Sequence, residues 1–405
     1  MGIFAIARPW RTVLLAGAAV VAGAAVAGAA TAGGYGQTDL VTDSQAALAT
    51  MGYAPATYVD PNLVNPWGID RSSTGEWWIS NANTATETVY NGAGKPGSLV
   101  VTVPQNAPFG MGGGVTGMVY NGGSAFTLGT GGPARFITAD IDGSISAWNG
   151  AQGTQAVVVV PGPTPGPPPP SVAYTGLAIG SVGANSYLYA ANSGTRGGVD
   201  VYNTSFQLVS LGANAFSDPG APQAGLAAFN AQNINGNIFV TYAVGGPPAA
   251  NQPLGSGYVD EYDSAGNLIQ RFTGADLDSP WGVALAPSDF GAFSNDILIG
   301  NFTHDKADGF ISAYSQTGTF EGLLTNPDGT PITIDGLWGL EFGNGGTAGP
   351  ANALYFAAGV NAEQDGLFGR IDAVPEPASW ALMILGVGLT GAQLRRRTGR
   401  AVFAA

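Results

Sequence analysis

The chain has 405 residues, with 13 Lys+Arg against 27 Asp+Glu, one histidine and no cysteine. So acidic a balance repels nucleic acid, and the absence of thiols excludes disulfides and cysteine chemistry. A domain built this way must be held by a large packed core, for which the length is ample.

At the N-terminus, Met1 to Arg11 carries two cations, Arg8 and Arg11, and no acid; residues 13–30 are then almost wholly Ala, Gly, Val and Leu. Ala30-Thr31-Ala32 supplies a small-x-small pattern before Gly33 and Gly34. A basic start, an apolar stretch and such a site predict a signal peptide over 1–32, removed by signal peptidase. The competing reading is an N-terminal membrane helix. Between Gly33 and Pro375 there remain 7 Lys+Arg and 26 Asp+Glu. The working region would therefore meet anionic polysaccharide only through bridging divalent cations.

A short strand-like stretch, Thr38-Asp39-Leu40-Val41, lies within 35–41. Six copies of one pattern follow. Each opens on a glycine among alternating apolar residues: Pro66-Trp67-Gly68-Ile69-Asp70, Thr116-Gly117-Met118, Thr175-Gly176-Leu177, Ala224-Gly225-Leu226-Ala227, Pro280-Trp281-Gly282 and Leu337-Trp338-Gly339-Leu340-Glu341. A second strand-like run follows each, then a third that usually ends in an aromatic (Tyr90, Trp148, Tyr202, Tyr262, Tyr314), and in most copies a fourth. Period-2 patterning, β-branched and aromatic residues, and turn residues between short runs predict an all-β, six-bladed β-propeller over 33–373. The sixth copy has only three runs, which would leave an open edge. The stretch 35–41 is expected to supply the missing outer strand and close the ring.

Pro-Trp-Gly-Ile-Asp and its relatives resemble NHL-type and gluconolactonase-like propellers. Asp60-Pro61-Asn62-Leu63-Val64-Asn65-Pro66-Trp67-Gly68 is similar to an uncharacterised bacterial propeller family, which brings no activity with it. In the lactonases that these copies resemble, a channel metal is held by Glu, Asn and Asp. Here the second residue after the glycine is Asp70, Val119, Ala178, Ala227, Ala284 and Glu341. Asp70 and Glu341, neighbours once the ring closes, are the candidate metal ligands, with Ca2+ the candidate ion. A hydrolase would need such a metal to activate water. The alternative is a solvated acidic rim with no cofactor.

Other motifs divide in the same way. Trp67, Trp281 and Trp338 recur beside the glycine, either packing between blades or lining a sugar-binding surface. Asp140-Ile141-Asp142-Gly143 has acids at alternate positions but lacks the rest of a calcium loop, and reads as a turn. His304, with Asp305 and Asp308, either joins a cation site or lies in an Asp-Gly turn; one histidine excludes any multi-histidine metal centre. No Ser/His/Asp triad or phosphate-binding fingerprint is present, and no catalytic residue is assigned. Residues 161–170 read as a polyproline surface spacer.

At the C-terminus, Val374-Pro375-Glu376-Pro377 is followed by an uncharged span, 378–394, and then Arg395, Arg396, Arg397 and Arg400. As a helix those 17 residues reach roughly 25 Å, barely enough for a ~30 Å hydrocarbon core. The arginines keep that end cytoplasmic by the positive-inside rule. Residues 374–400 resemble the PEP-CTERM sorting domain of exopolysaccharide-producing Gram-negative bacteria. The resemblance implies recognition near Pro375, Glu376 and Pro377 by an exosortase-type membrane protease, a temporary membrane helix, and delivery to the cell surface or extracellular matrix. Partners there would be extracellular polysaccharide or envelope components.

Overall fold

A computed structural model describes residues 33–105, 114–163, 171–218, 225–244, 256–303 and 309–375. The expected signal peptide (1–32), residues 164–170 of the proline-rich spacer, His304, Asp305, Asp308 and everything from Glu376 onward, including the expected membrane span and the arginine cluster, lie outside the described residues. Among the described residues no helix is long and apolar enough to cross a membrane.

Six antiparallel sheets succeed one another along the chain. Blade 1 is built from Pro66–Arg71, Trp77–Asn81, Thr86–Tyr90 and Pro96–Thr102. Blade 2 takes Val115–Tyr120, Phe136–Asp140, Ile145–Trp148 and Val157–Val160, and blade 3 Tyr174–Val182, Asn185–Asn192, Val199–Tyr202 and Leu208–Val209. Blade 4 uses Leu226–Ile234, Asn237–Val244, Tyr258–Tyr262 and Leu268–Phe272; blade 5 uses Pro280–Leu285, Ile297–Asn301, Gly309–Tyr314 and Phe320–Leu323. Blade 6 contributes Leu337–Phe342, Ala353–Ala358 and Leu367–Ala373. The first strand of each blade packs against the first strand of the next, and that of blade 6 against that of blade 1. The molecule is an all-β, six-bladed propeller.

The ring is closed by the N-terminal strand. Tyr35–Thr42 runs antiparallel to Leu367–Ala373, from Tyr35 opposite Ala373 to Thr42 opposite Leu367. The first and last described strands thus share blade 6, so the ring cannot open without breaking that ladder. Tyr35 anchors the junction further: its hydroxyl donates to the Phe290 carbonyl at 3.0 Å and accepts from Phe293 N–H at 3.1 Å. A helix, Gln45–Met51, follows at once, set by Ser44 as N-cap and left-handed Gly52 as C-cap. At seven residues it lies below the length that helical periodicity reveals.

The core lies between blades. Trp77, Tyr90, Tyr355 and Phe368 interlock blades 1 and 6, with Trp77 and Tyr355 ring centroids 4.7 Å apart. Glycine opens the inner strands because those strands touch. A Cβ on Gly117 would sit 2.5 Å from the Gly176 Cα, and one on Gly339 would sit 2.7 Å from the Trp67 carbonyl oxygen.

The fourth copy corrects the sequence alignment. Every inner strand carries a register break against its neighbour, and in blade 4 it falls between Ala228 and Asn230. The same break in blade 3 falls between Tyr174 and Gly176. The axial position of blade 4 is therefore Asn230, not Gly225, and the residue two further on is Gln232, not Ala227. Asn230 fits because its neighbour is bare: a Cβ on Gly176 would meet Asn230 Oδ1 at 2.1 Å. Its amide then donates to the Trp281 carbonyl at 2.8 Å.

Candidate functional site: the central channel

The register breaks bring the residue before each axial position toward the ring centre. These residues are Trp67, Thr116, Thr175, Phe229, Trp281 and Trp338. Four of them meet there. Trp67 stacks on Trp338 with centroids 3.6 Å apart, and Trp281 stands edge-on to both, at 6.2 and 5.9 Å. Phe229, from the opposite side of the ring, reaches Trp67 at 6.4 Å and Trp338 at 5.8 Å. Phe302 stacks on the outer face of Trp338 at 4.1 Å. All three indoles are buried, so they pack against one another and form a plug where the inner strands begin. Asn65 fixes two of them, its Oδ1 accepting from Trp67 Nε1 at 3.0 Å and Trp338 Nε1 at 3.3 Å. Asn65 holds a left-handed backbone, φ 50°, to present that oxygen.

Beyond the plug, at the far ends of the same strands, lie Asp70 and Glu341. They come together as the aligned copies require: both carboxyl groups lie beside Arg71, and the charge of Asp70 acts on Glu341. Asp70 Oδ2 accepts from Tyr120 N–H at 2.6 Å and Oδ1 from Arg71 N–H at 2.5 Å. Burial pushes Asp70 up to about 6, partly offset by those two backbone donors. Burial, then the Asp70 charge, pushes Glu341 well above the usual carboxylate range. Of the two, Glu341 is the carboxyl whose charged form its surroundings disfavour more.

Arg71, adjacent to Asp70 in sequence, completes the group. Its Nη2 stands 3.4 Å from Glu341 Oε1, and its Nε donates to the Phe342 carbonyl at 2.7 Å. A guanidinium thus holds the ground beside the acids that a divalent cation would need. Among the described residues no group of three or more His, Asp or Glu side chains is placed to hold a metal ion.

The Asp140 loop is a turn. Asp140 Oδ1 accepts from Asp142 N–H at 3.0 Å, Asp142 Oδ1 from Ser144 N–H at 2.8 Å, and Gly143 supplies φ 81°. Asp140 Oδ2 also accepts from Gln105 Nε2 at 2.6 Å. Burial, then the charge of Asp142, pushes Asp140 up to about 7.

Alignment on glycine hid Phe229, Asn230 and Gln232, because the fourth copy has no glycine at the axis. The usable signal was an aromatic one place before the axial residue, shared by Trp67, Phe229, Trp281 and Trp338. Arg71 was visible beside Asp70, but its reach to Glu341 depends on ring closure.

Residues 373–397 match the PEP-CTERM protein-sorting motif. The chain carries that motif directly after its last blade strand. It is 28% identical over 334 residues to an uncharacterized protein of Acanthamoeba polyphaga mimivirus, covering 78% of this chain and 82% of the relative. A second uncharacterized protein of that virus is 28% identical over 333 residues, covering 78% and 76%. Among solved structures it is similar to a streptogramin B lyase (11% identity, TM-score 0.43, covering 84% of this chain and 97% of that one). The WD40 domain of Neurospora crassa Pan2 gives 12% identity and a TM-score of 0.41, covering 84% and 95%.

Proposed function

We propose that this chain is an exported β-propeller, delivered by an exosortase-type system to the cell surface or extracellular matrix, where it acts as a binding or structural module. The observation that carries the reading is the sorting motif at 373–397, which begins where the last blade strand, Leu367–Ala373, ends. Pro375, Glu376 and Pro377 are the recognition stretch. Two prolines favour an extended backbone outside any helix, which suits a protease cleft. Arg395, Arg396 and Arg397 hold the tail on the cytoplasmic side until processing. Signal peptidase would remove 1–32 at the other end.

The channel favours a module over a hydrolase. Asp70 spends both oxygens on backbone N–H groups, burial and the Asp70 charge raise Glu341 well above the usual carboxylate range, and Arg71 supplies the cation. A metal-dependent, lactonase-like reaction at Asp70 and Glu341 with Ca2+ is the rival, and it would require Arg71 to be displaced.

The test is processing in a host that has the sorting protease. The tagged chain should be released from the inner membrane to the surface, and replacement of Pro375, Glu376 and Pro377 by alanine should trap it in the membrane. Release of that variant at the normal rate would overturn the sorting. Stoichiometric Ca2+ binding to the released protein, lost in Asp70→Asn, would instead establish the hydrolase site.

A further inference from the structure

The outer hairpins of blades 1, 3, 4 and 5 share one turn. Asn91, Asn203, Asp263 and Ser315 each donate N–H to the carbonyl four residues on and accept from the N–H three residues on. That third residue is left-handed: Gly94 at φ 80°, Gly266 at φ 86° and Gly318 at φ 84°, but Phe206 at φ 58° in blade 3. Glycine adopts this conformation freely, whereas an aromatic residue is strained there. Strain of this kind persists where the surroundings fix it, and it points to a use for the side chain.

Two cavities of about 390 Å³ each flank this turn. One lies between blades 2 and 3, lined by Phe206 together with Leu128, Val157, Val158, Thr127 and Thr130. The Phe206 ring is held 5.5 Å from that of Phe126. The other is lined by Asn185, Ser186, Tyr187, Asn203, Thr204 and Ser210. None of the residues lining either cavity is charged, in a chain with 27 acids. The first cavity sets Phe206 among Leu128, three valines and the polar groups of Thr127, Thr130 and Gln152. The second sets Tyr187 among hydroxyl and amide groups, and neither lining carries a charge that would pair with an ion. That chemistry matches a ligand with many hydroxyls and apolar C–H faces.

We propose that the two cavities and the turn between them form a binding site for an uncharged oligosaccharide, with Phe206 and Tyr187 as the stacking surfaces. The proposal gives the binding module a ligand class and rests on that reading; failure to bind glycan would leave the sorting of the chain unaffected.

Affinity electrophoresis of the full chain in detergent tests it, in gels containing dextran, galactomannan or hydroxyethyl-cellulose, with alginate as the anionic counterpart. Retardation is expected in at least one neutral gel and not in alginate. Phe206→Gly should weaken that retention about tenfold while leaving the melting temperature nearly unchanged, since glycine suits the turn. Thr204→Glu, on an exposed turn, should weaken it similarly by placing a charge in the site. Should Phe206→Gly unfold the blade, Thr204→Glu decides alone. Normal mobility in all three neutral gels, retardation by alginate only, or unchanged retention in the folded variants would overturn the proposal.

Discussion

Glu87 stands where the other five copies place Ile145, Val199, Val259, Ile311 and Phe368, three residues before the aromatic (Ile371 in the sixth copy) of the third strand. It is buried between blades 1 and 2, and its Oε1 accepts from the Thr138 hydroxyl. Thr138 is itself an exception among Ile79, Ala190, Val240, Ile299 and Phe356 in the second strands. The two form a matched polar pair at positions that the repeat fills with apolar groups. Glu87 Oε2 has no partner, and burial pushes the carboxyl up to about 7. Exchanging a buried polar pair for packed apolar groups is often stabilising by ~1–4 kcal/mol, while removing one partner costs ~1–3 kcal/mol. Urea denaturation at pH 7 should therefore find Glu87→Ile with Thr138→Val more stable than the parent, and Thr138→Val alone less stable. A double variant less stable than the parent would show that the pair is favourable as it stands. At this scale the sequence holds the information only once the strands are in register. Glu87 is one acid among 27 until its five counterparts are aligned beside it.

At the scale of elements, the repeat was legible because each strand is short, alternates, and ends at turn residues. The strand Tyr35–Thr42 was legible by a different argument, since a sixth copy with three runs leaves an edge that must be covered. The register breaks were not legible. A bulge adds a residue without changing composition, and its position is set by how six inner strands crowd one axis. That is why glycine served as a marker in five copies and misled in the fourth, where the amide of Asn230 fills the space that Gly176 leaves. Closure carries a prediction of its own. Deleting residues 35–42 removes the whole partner of Leu367–Ala373 and exposes a seven-residue edge beside Leu354, Phe356 and Phe368. Such a variant should lose cooperative thermal unfolding and run as aggregate in size-exclusion chromatography. A monomer with a melting temperature within a few degrees of the parent would mean that the ring does not depend on this strand.

For the whole molecule, the buried acids act together. Burial raises Asp43 and Asp70 to about 6, and Glu87, Asp140 and Glu363 to about 7. In the unfolded chain such groups titrate near 4. Between those limits the folded protein holds protons that the unfolded chain has released. Their contribution is full below about pH 4 and is lost as pH rises through 6 to 7. Self-repulsion adds to the trend, since the chain carries −14 at pH 7 with an isoelectric point near 4.2. Among the described acids only Asp263 and Asp328, both in turns, shift the other way, drawn down by hydrogen bonds. The melting temperature should accordingly be several degrees higher at pH 5 than at pH 8. Equal values, or a higher value at pH 8, would show that these groups are solvated well enough to ionise in place.

By itself the sequence determined the sorting motif, the strand content, the sixfold repeat and the need for a closing strand. All of these follow from local composition and from counting edges. Only the tertiary structure decided what faces the axis and what fills it. The three indoles plug the ring because register breaks in separate blades bring them together. Asp70 and Glu341 meet beside Arg71 because closure sets the first blade against the sixth. Phe206 is strained in a turn that three other blades give to glycine, and that becomes visible only when the blades are superimposed. These contacts join residues hundreds of positions apart, and no local pattern encodes the distance between them.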